Sequence, residues 1–168
     1  MKTLICCAIL LSLAASSLAQ DLPKPDPIKG TWKLNADKTN SAMSPESEVI
    51  TIVSQDNSYK LTFDVKQSNG YNPKYDMVTD MKGGTVKPVY ADGRGTNDSW
   101  SVTRQGAKTF DMELKGAWTD KYEVSSDGKT MTLHRVSSKN AAVVGGFIEK
   151  DGTLRRQPQY ILVFDRVE

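Results

Sequence analysis

The chain has 168 residues, of which 38% are hydrophobic and 25% charged, and its 22 basic and 20 acidic side chains leave a formal net charge of +2. Nucleic-acid-binding proteins concentrate their basic residues on one face, and here Arg155 and Arg156 are the only adjacent arginines. The composition therefore indicates a globular domain and argues against nucleic acid or an anionic membrane surface as a partner.

Residues 1–19 have the features of a secretory signal peptide. Lys2 precedes an apolar run from Leu4 to Ala15, and the small-residue ending Ser17-Leu18-Ala19 provides a cleavage site. The run is shorter than the roughly 20 residues that a membrane-spanning helix needs. We expect an exported protein, periplasmic or extracellular, without a membrane span. Both cysteines of the chain lie inside this segment, so the mature protein is expected to depend on its core rather than on disulfides.

Residues 20–27 contain three prolines. Proline removes a backbone donor and restricts the residue before it, so this segment is predicted to be an extended N-terminal arm. The remaining residues, 28–168, are expected to form one domain. Its first strand begins at Ile28, and residues 36–48, rich in Ser, Asn, Asp and Pro, are predicted to form a loop across one mouth of a barrel. Within that loop, Ser44-Pro45-Glu46 has the sequence to start one helical turn.

Segments with apolar residues two apart follow at regular spacing, as expected for half-buried strands. These segments are Tyr59–Val65, Phe110–Leu114, Trp118–Val124, Met131–Leu133 and Tyr160–Phe164. Three short polar connections, 55–58, 105–107 and 126–129, are suited to hairpins, and the last contains an Asp-Gly pair that favours a tight turn. Apolar residues at helical spacing are absent, so a doubly wound sheet with crossover helices is not expected.

Two longer connections interrupt this rhythm, 82–97 and 137–157. Long loops on a scaffold of short turns are either functional or plain insertions. The sequence thus predicts an all-β fold, an up-and-down antiparallel β-barrel of eight or nine strands.

Short motifs in these strands resemble those of a known family. Gly30-Thr31-Trp32 resembles the Gly-x-Trp signature of the lipocalins, and Thr119-Asp120-Lys121-Tyr122 resembles their second motif. Arg166 stands where lipocalins place an arginine against that tryptophan. Gly30–Asn35 and Ser126–Thr132 are also similar to an uncharacterised group of exported bacterial proteins with lipocalin-like barrels. The resemblance implies a lipocalin-like, calycin barrel that binds a small molecule without a cofactor.

A structural role is predicted for Gly30, Trp32 and Arg166. Ile28, Gly30 and Trp32 share one face of the first strand, so the indole is expected in the core, while Gly30 lets a neighbouring backbone approach closely. Arg166 continues an apolar face, where stacking on Trp32 would stabilise it by about 0.5–2 kcal/mol. We expect this pair to close the barrel floor.

Aromatic residues on the predicted inward faces, with two charged residues that continue those faces, are the candidate ligand-binding set. A charge that faces inward must be paired or directed at a ligand, and an internal salt bridge is the alternative for both. The candidates are Tyr59, Phe63, Tyr75, Trp100, Arg104, Phe110, Trp118, Asp120 and Tyr122. An eight-stranded barrel is just wide enough to be filled by side chains or to hold one small ligand, and the sequence is compatible with both.

Catalytic and metal chemistry find little support in the sequence. The mature chain has one histidine, His134, and no cysteine, so a structural zinc site lacks ligands. The segment Asp92–Asp98 lacks the ligand spacing of an EF-hand, and no serine stands in a Gly-x-Ser-x-Gly turn. His134 lies opposite the apolar face of its strand and is predicted to face solvent. We expect a protein that is not an enzyme and holds neither metal nor cofactor.

The leading interpretation is therefore a secreted, lipocalin-like protein that binds a small, mainly apolar molecule inside the barrel. One alternative is an envelope or interaction protein with a filled barrel that acts through the loops 82–97 and 137–157. The other is a lipocalin-type enzyme, which requires His134 or Asp120 in a pocket with a perturbed pKa. The identity of the ligand and the oligomeric state do not follow from the sequence.

Overall fold

The computed structural model describes residues 25–39, 44–137 and 160–168. In this part of the chain there are eleven strands and no helix, which confirms the all-β prediction. The strands are β1 (Gly30–Leu34), β2 (Ser47–Gln55), β3 (Ser58–Lys66), β4 (Lys74–Thr79), β5 (Lys82–Val86), β6 (Val89–Tyr90), β7 (Trp100–Arg104), β8 (Thr109–Leu114), β9 (Trp118–Val124), β10 (Thr130–Ser137) and β11 (Tyr160–Val167).

All strands belong to one antiparallel sheet, with the order β5-β7-β8-β9-β10-β11-β1-β2-β3-β4-β6. Strands that follow one another in the chain are mostly neighbours, and the last strand returns to the first, with Trp32 opposite Arg166. The two ends of the sheet are connected by the chain itself, because Asp80 and Met81 link β4 directly to β5. The fold is an up-and-down, antiparallel curled sheet, which agrees with the predicted fold class.

The strand count is eleven rather than eight or nine, because residues 82–97 are not a plain connection. They contain β5, which pairs with β7, and the short β6, which pairs with β4. The register of β5 shifts between Lys82 and Thr85, and Gly83 there has a φ of +84°. A β-bulge of this kind breaks the alternation of side chains, which hides the strand from a search for period two.

The loop predicted at 36–48 is also shorter than expected. β2 begins at Ser47, and Glu48 continues inward the alternation of Ile50 and Ile52. Residues 44–46 form no helical turn, and the turn in this region lies at 36–38. Pairing with β3, in which Glu48 lies opposite Val65, gives the first residues of β2 a hydrogen-bonding partner that the local sequence does not reveal. Residues 40–43 lie outside the described part.

The three predicted hairpins are confirmed. In the β2–β3 hairpin, Gln55 pairs with Ser58, and Asp56 has a positive φ of 51°. In the β7–β8 hairpin, the backbone N–H of Gln105 donates to the carbonyl of Thr109 over 3.0 Å. In the β9–β10 hairpin, Gly128 adopts a φ of 72°, which a residue with a Cβ tolerates poorly.

The core lies on the concave side of the sheet. The largest fully buried side chains are Trp32, Phe63, Phe110, Phe164, Ile28, Ile50, Ile52, Leu61, Met77, Met112, Met131 and Leu162. Each contributes on the order of 1.5–3 kcal/mol through removal of apolar surface from water. No helix in the described residues is long and apolar enough to cross a membrane.

The N-terminal residues that precede β1 close one end of this core, which we call the floor. Arg166 Nη2 donates to the carbonyl of Pro27 over 2.6 Å and Nη1 donates to that of Lys29 over 2.8 Å. Its guanidinium carbon lies 4.2 Å from the ring centroid of Trp32, whose Nε1 donates to the Ile28 carbonyl over 3.0 Å. One arginine therefore ties the arm, the first strand and the last strand together.

Gly30 is needed for a different reason from the one expected. A Cβ at this position would lie 2.8 Å from Arg166 Nη1, and the φ of Gly30 is +138°. The close neighbour is thus a side chain and not a backbone segment. The signal peptide predicted at 1–19, the arm before Pro25 and the loop residues 138–157 lie outside the described residues.

Candidate functional site

The end of the sheet opposite the floor, which we call the upper end, carries a buried polar cluster. The residues of this cluster lie at the start of β2, the start of β9, the end of β10 and the start of β11. Its members are Glu48, Trp118, Asp120, Arg135 and Tyr160, and we call them the upper cluster. Because these strands face one another across a curled sheet, residues distant in sequence meet on its concave side.

Asp120 and Arg135 form the centre of the upper cluster. They are direct cross-strand neighbours on β9 and β10. Arg135 Nε donates to Asp120 Oδ1 over 2.6 Å, and Nη2 donates to Oδ2 over 2.8 Å. The side chain of Asp120 is only 4% exposed and that of Arg135 is 30% exposed. Two-point contact with a largely desolvated carboxylate fixes the plane of the guanidinium.

Two aromatic rings lie against the same guanidinium. Its central carbon is 4.5 Å from the ring centroid of Trp118 and 4.4 Å from that of Tyr160. Tyr160 is the cross-strand neighbour of Arg135 on β11, and Trp118 lies two residues before Asp120 on β9. Cation–π contacts of this kind gain strength when water is excluded. The rings therefore hold Arg135 in place beside Asp120.

Glu48 is a second buried carboxyl group at this end. The residue is 8% exposed and points inward with Ile50 and Ile52. Burial, and then the negative charge of Asp120, raise the pKa of Glu48 to about 7, while Arg135 acts in the opposite direction. At neutral pH this group exchanges between a carboxylate that accepts hydrogen bonds and a carboxylic acid that also donates one.

Three tyrosines surround the carboxyl groups. Burial raises the pKa of Tyr160 to about 12. Burial and the charge of Glu48 raise the pKa of Tyr75, and burial and the charge of Asp120 raise that of Tyr122. All three phenols therefore stay neutral. Tyr75 stacks on Phe63 at 4.9 Å and Tyr122 stacks on Phe110 at 4.6 Å between ring centroids.

Trp118 carries the only buried side-chain nitrogen or oxygen without a hydrogen-bond partner in the described part of the chain, its indole Nε1. Leaving such a donor unsatisfied costs about 1–3 kcal/mol. Trp100 lies edge-on to Trp118, with ring centroids 6.3 Å apart. An oxygen atom of a bound molecule would be a suitable acceptor for this indole.

Arg104 and Tyr59, both predicted to contact a ligand, lie at the floor instead. Arg104 Nη2 donates to Asp26 Oδ1 over 2.8 Å, and the Tyr59 hydroxyl donates to Asp26 Oδ2 over 2.7 Å. Arg104 also donates to the backbone carbonyls of Gly106 and Ala107. The inward charge of Arg104 is thus neutralised by the N-terminal arm, which corresponds to the internal salt bridge considered as the alternative.

The remaining candidate ligand-binding residues lie in or near the upper cluster. Trp118 and Asp120 belong to the upper cluster, Tyr75 and Tyr122 adjoin it, and Trp100 contacts Trp118. Phe63 and Phe110 are the stacking partners of the two adjoining tyrosines, each paired with its tyrosine across neighbouring strands. Because Phe110 also lies directly opposite Arg104 on β7, the stacked pair Phe110–Tyr122 lies between the upper cluster and the floor.

Sequence reasoning missed Arg135 and Glu48. Both could have been found from alternation, because Arg135 follows Met131 and Leu133 on one face and Glu48 precedes Ile50 and Ile52 on another. A charge in register with buried apolar residues is the signal. The predicted strand Met131–Leu133 ends before Arg135, and the predicted loop 36–48 includes Glu48, so the sequence analysis identifies neither charge.

His134 lies on the outer face of the sheet, away from the upper cluster. It is exposed and lines an open groove together with Asp111, Lys121 and Thr132. Within the described ranges there is no group of three or more His, Cys, Asp or Glu residues arranged to hold a metal ion.

Two solved structures of other proteins align with most of this chain. No protein-family model and no curated protein sequence matches the chain. Zebrafish ileal bile acid-binding protein in complex with cholic acid aligns with 84% of this chain and 99% of its own, at 12% identity and a TM-score of 0.49. The wild-type fluorescent protein UnaG aligns with 83% of this chain and 97% of its own, at 11% identity and a TM-score of 0.48.

Proposed function

We propose that the protein binds a small, mainly apolar molecule non-covalently on the concave side of its sheet, at the upper end. The observation that carries this proposal is the Asp120–Arg135 ion pair at the edge of a mainly apolar core, with the Asp120 side chain 4% exposed and that of Arg135 30% exposed. Replacing a buried ion pair by apolar side chains of similar volume is often neutral or stabilising. A core that retains such a pair therefore has a use for it beyond stability.

Small-molecule sites in proteins are mostly apolar, with a few polar groups that fix the orientation of the ligand. The upper cluster, together with the two stacked aromatic pairs next to it, has this composition. Phe63 and Phe110 supply apolar surface, while Glu48, Tyr75 and Tyr122 supply hydrogen-bonding groups that are largely buried. The unsatisfied Nε1 of Trp118 adds a donor for a ligand oxygen. The proposed binding needs no cofactor and involves no covalent step.

The proposal includes export. A chain with the signal peptide expected at residues 1–19 would meet its ligand in the periplasm or outside the cell. The resemblance of Gly30–Asn35 to a group of exported bacterial proteins supports the same location.

A second candidate is an interaction protein with a filled interior. The stacked pairs Phe63–Tyr75 and Phe110–Tyr122 occupy interior space and favour it. In that case the contact surface would lie on the 82–97 segment, where Val89 is 52% exposed.

Native mass spectrometry on protein purified from its own secretion compartment tests the proposal. We expect a small molecule bound at one per chain that denaturation releases, and displacement of that molecule by the neutral apolar dye N-phenyl-1-naphthylamine. A bare mass combined with no dye uptake would refute binding and support the interaction protein.

A matched pair of double variants locates the site. Asp120→Leu/Arg135→Met removes the buried ion pair, and Asp64→Leu/Lys74→Met removes an exposed pair with a 2.8 Å contact on the outer face. We expect dye or ligand affinity to change at least about tenfold, or 1.4 kcal/mol, in the first variant and to stay constant in the second. Equal affinities in both would place binding elsewhere.

A further inference from the structure

We infer that the charged group of the ligand is a protonated amine and that the site disfavours carboxylates. This inference rests on the proposed function, since it specifies the ligand of the same site. The geometry that carries it is the arrangement of two buried carboxyl groups around one arginine that is already neutralised.

Arg135 is the first element of the argument. An arginine at the edge of an apolar core would ordinarily be the group to receive a ligand carboxylate. Here its Nε and Nη2 already donate to the two oxygens of Asp120, over 2.6 and 2.8 Å. The rings of Trp118 and Tyr160 lie 4.5 and 4.4 Å from its central carbon. Its charge and the donors best suited to two-point contact are occupied.

The balance of charge is the second element. Among the described residues of the upper cluster, Glu48 and Asp120 carry acid groups and Arg135 alone carries a permanent positive charge. A ligand carboxylate would add a third negative group to these described residues, which include one cation. An ammonium group would instead pair with Glu48 and leave this set of described residues neutral. Electrostatic interactions between partly buried groups are several-fold stronger than in water, so the sign of the ligand charge matters.

The aromatic lining is the third element. Tyr75, Tyr122 and Tyr160 remain neutral because burial raises the pKa of each. Their hydroxyl oxygens can accept hydrogen bonds from an ammonium group. The floor is closed by Asp26, Tyr59 and Arg104. The charged end of a ligand is therefore expected near Glu48, with its apolar part directed toward the floor.

Binding is also expected to move protons. The groups that face Glu48 are Asp120 and Arg135 from β9 and β10, and the tyrosines of β4, β9 and β11 that respond to its charge, Tyr75, Tyr122 and Tyr160. The raised pKa of Glu48 means that part of the population holds a proton there at neutral pH. An ammonium that pairs with the carboxylate expels this proton, so amine affinity should fall as the pH drops below 7.

Displacement of a neutral dye by three ligands with the same C12 chain tests the inference. Dodecylamine, dodecanol and dodecanoate are titrated below their micelle concentrations into the full-length protein carrying N-phenyl-1-naphthylamine. We expect the amine to bind at least about tenfold more tightly than the carboxylate, with the alcohol between them. Because this comparison uses the unaltered chain, it does not depend on the folding of any variant.

Glu48→Gln and a matched control identify the group responsible. We expect Glu48→Gln to reduce the advantage of the amine about tenfold, and we expect Glu113→Gln, at an exposed position of β8, to preserve it. Calorimetry in two buffers of different ionisation enthalpy should detect proton release on amine binding to the unaltered protein and none to Glu48→Gln.

The outcomes separate the two proposals. If dodecanoate binds as tightly as dodecylamine, or if Glu48→Gln leaves the preference intact, the inference is wrong and binding itself stands. If the dye and all three ligands fail to bind, the proposed function is wrong and the inference falls with it.

Discussion

Removal of Arg135 alone should destabilise the folded protein, whereas removal of the whole Asp120–Arg135 pair should leave its stability unchanged or raise it. Arg135→Met leaves the carboxylate of Asp120, whose side chain is 4% exposed, without its partner. Breaking a buried pair in this way costs about 3–5 kcal/mol. The partial exposure of Arg135, 30%, favours the lower end of that range.

The expected size of the effect follows from these values. A loss of about 3 kcal/mol in a domain of this size lowers Tm by about 6–12 °C, at roughly 2–4 °C per kcal/mol. In Asp120→Leu/Arg135→Met both charges are replaced by apolar groups of related volume, and stability should return to that of the unaltered chain or exceed it by about 1–4 kcal/mol. Ligand or dye binding should nevertheless be weakened in the double variant.

Urea unfolding followed by tryptophan fluorescence, with a thermal melt as a second measurement, gives both free energies. The exposed-pair variant Asp64→Leu/Lys74→Met serves as the control and should change stability by less than about 1 kcal/mol. If the double variant at the buried pair is as unstable as Arg135→Met, the ion pair is needed for folding. A role of the pair in binding would then no longer explain why the protein retains it.

Two further predictions concern the other parts of the core. Burial and the charge of Asp120 raise the pKa of Glu48 from 4.5 to about 7. The folded protein therefore holds the carboxyl proton of Glu48 more tightly than the unfolded chain does. The free energy of unfolding should fall by about 3 kcal/mol as the pH rises from about 4.5 to 7. Urea unfolding at several pH values should detect this slope in the unaltered chain and its loss in Glu48→Gln, and equal slopes would contradict the assignment. Trp32→Ala removes a fully buried indole, its contact with Arg166 and its hydrogen bond to Ile28, so a loss of about 3–5 kcal/mol is expected. An unchanged thermal transition would remove the structural role of Trp32.

The inward-facing arginines have different roles at the two ends of the sheet. Arg104 and Arg166 hold the N-terminal arm against the floor through side-chain and backbone acceptors. Among the residues that the structure describes, Arg135 donates to the Asp120 carboxylate and to no backbone carbonyl, and it lies in the upper cluster. The two ends of the same sheet thus use arginine differently, one to seal the core and the other to place charge inside it.

The local sequence by itself determined the fold class and most strand positions. Tyr59–Val65 and Trp118–Val124 alternate with period two, and the Asp127-Gly128 pair sets a hairpin between β9 and β10. These features are local, because alternation and turn geometry depend only on neighbouring residues. These strands and turns can therefore be predicted without knowledge of the rest of the chain.

Only the tertiary structure decided how the inward charges are paired. The partner of Arg104 is Asp26, 78 residues away. The pKa of Glu48 is shifted by the charges of Asp120 and Arg135, which lie across the curled sheet. Strand β5 likewise exists because β7 supplies its hydrogen bonds, although a bulge obscures its pattern. Pairing of this kind depends on curvature and register, which bring distant residues together. Sequence periodicity can identify an inward charge, but it cannot choose the partner of that charge.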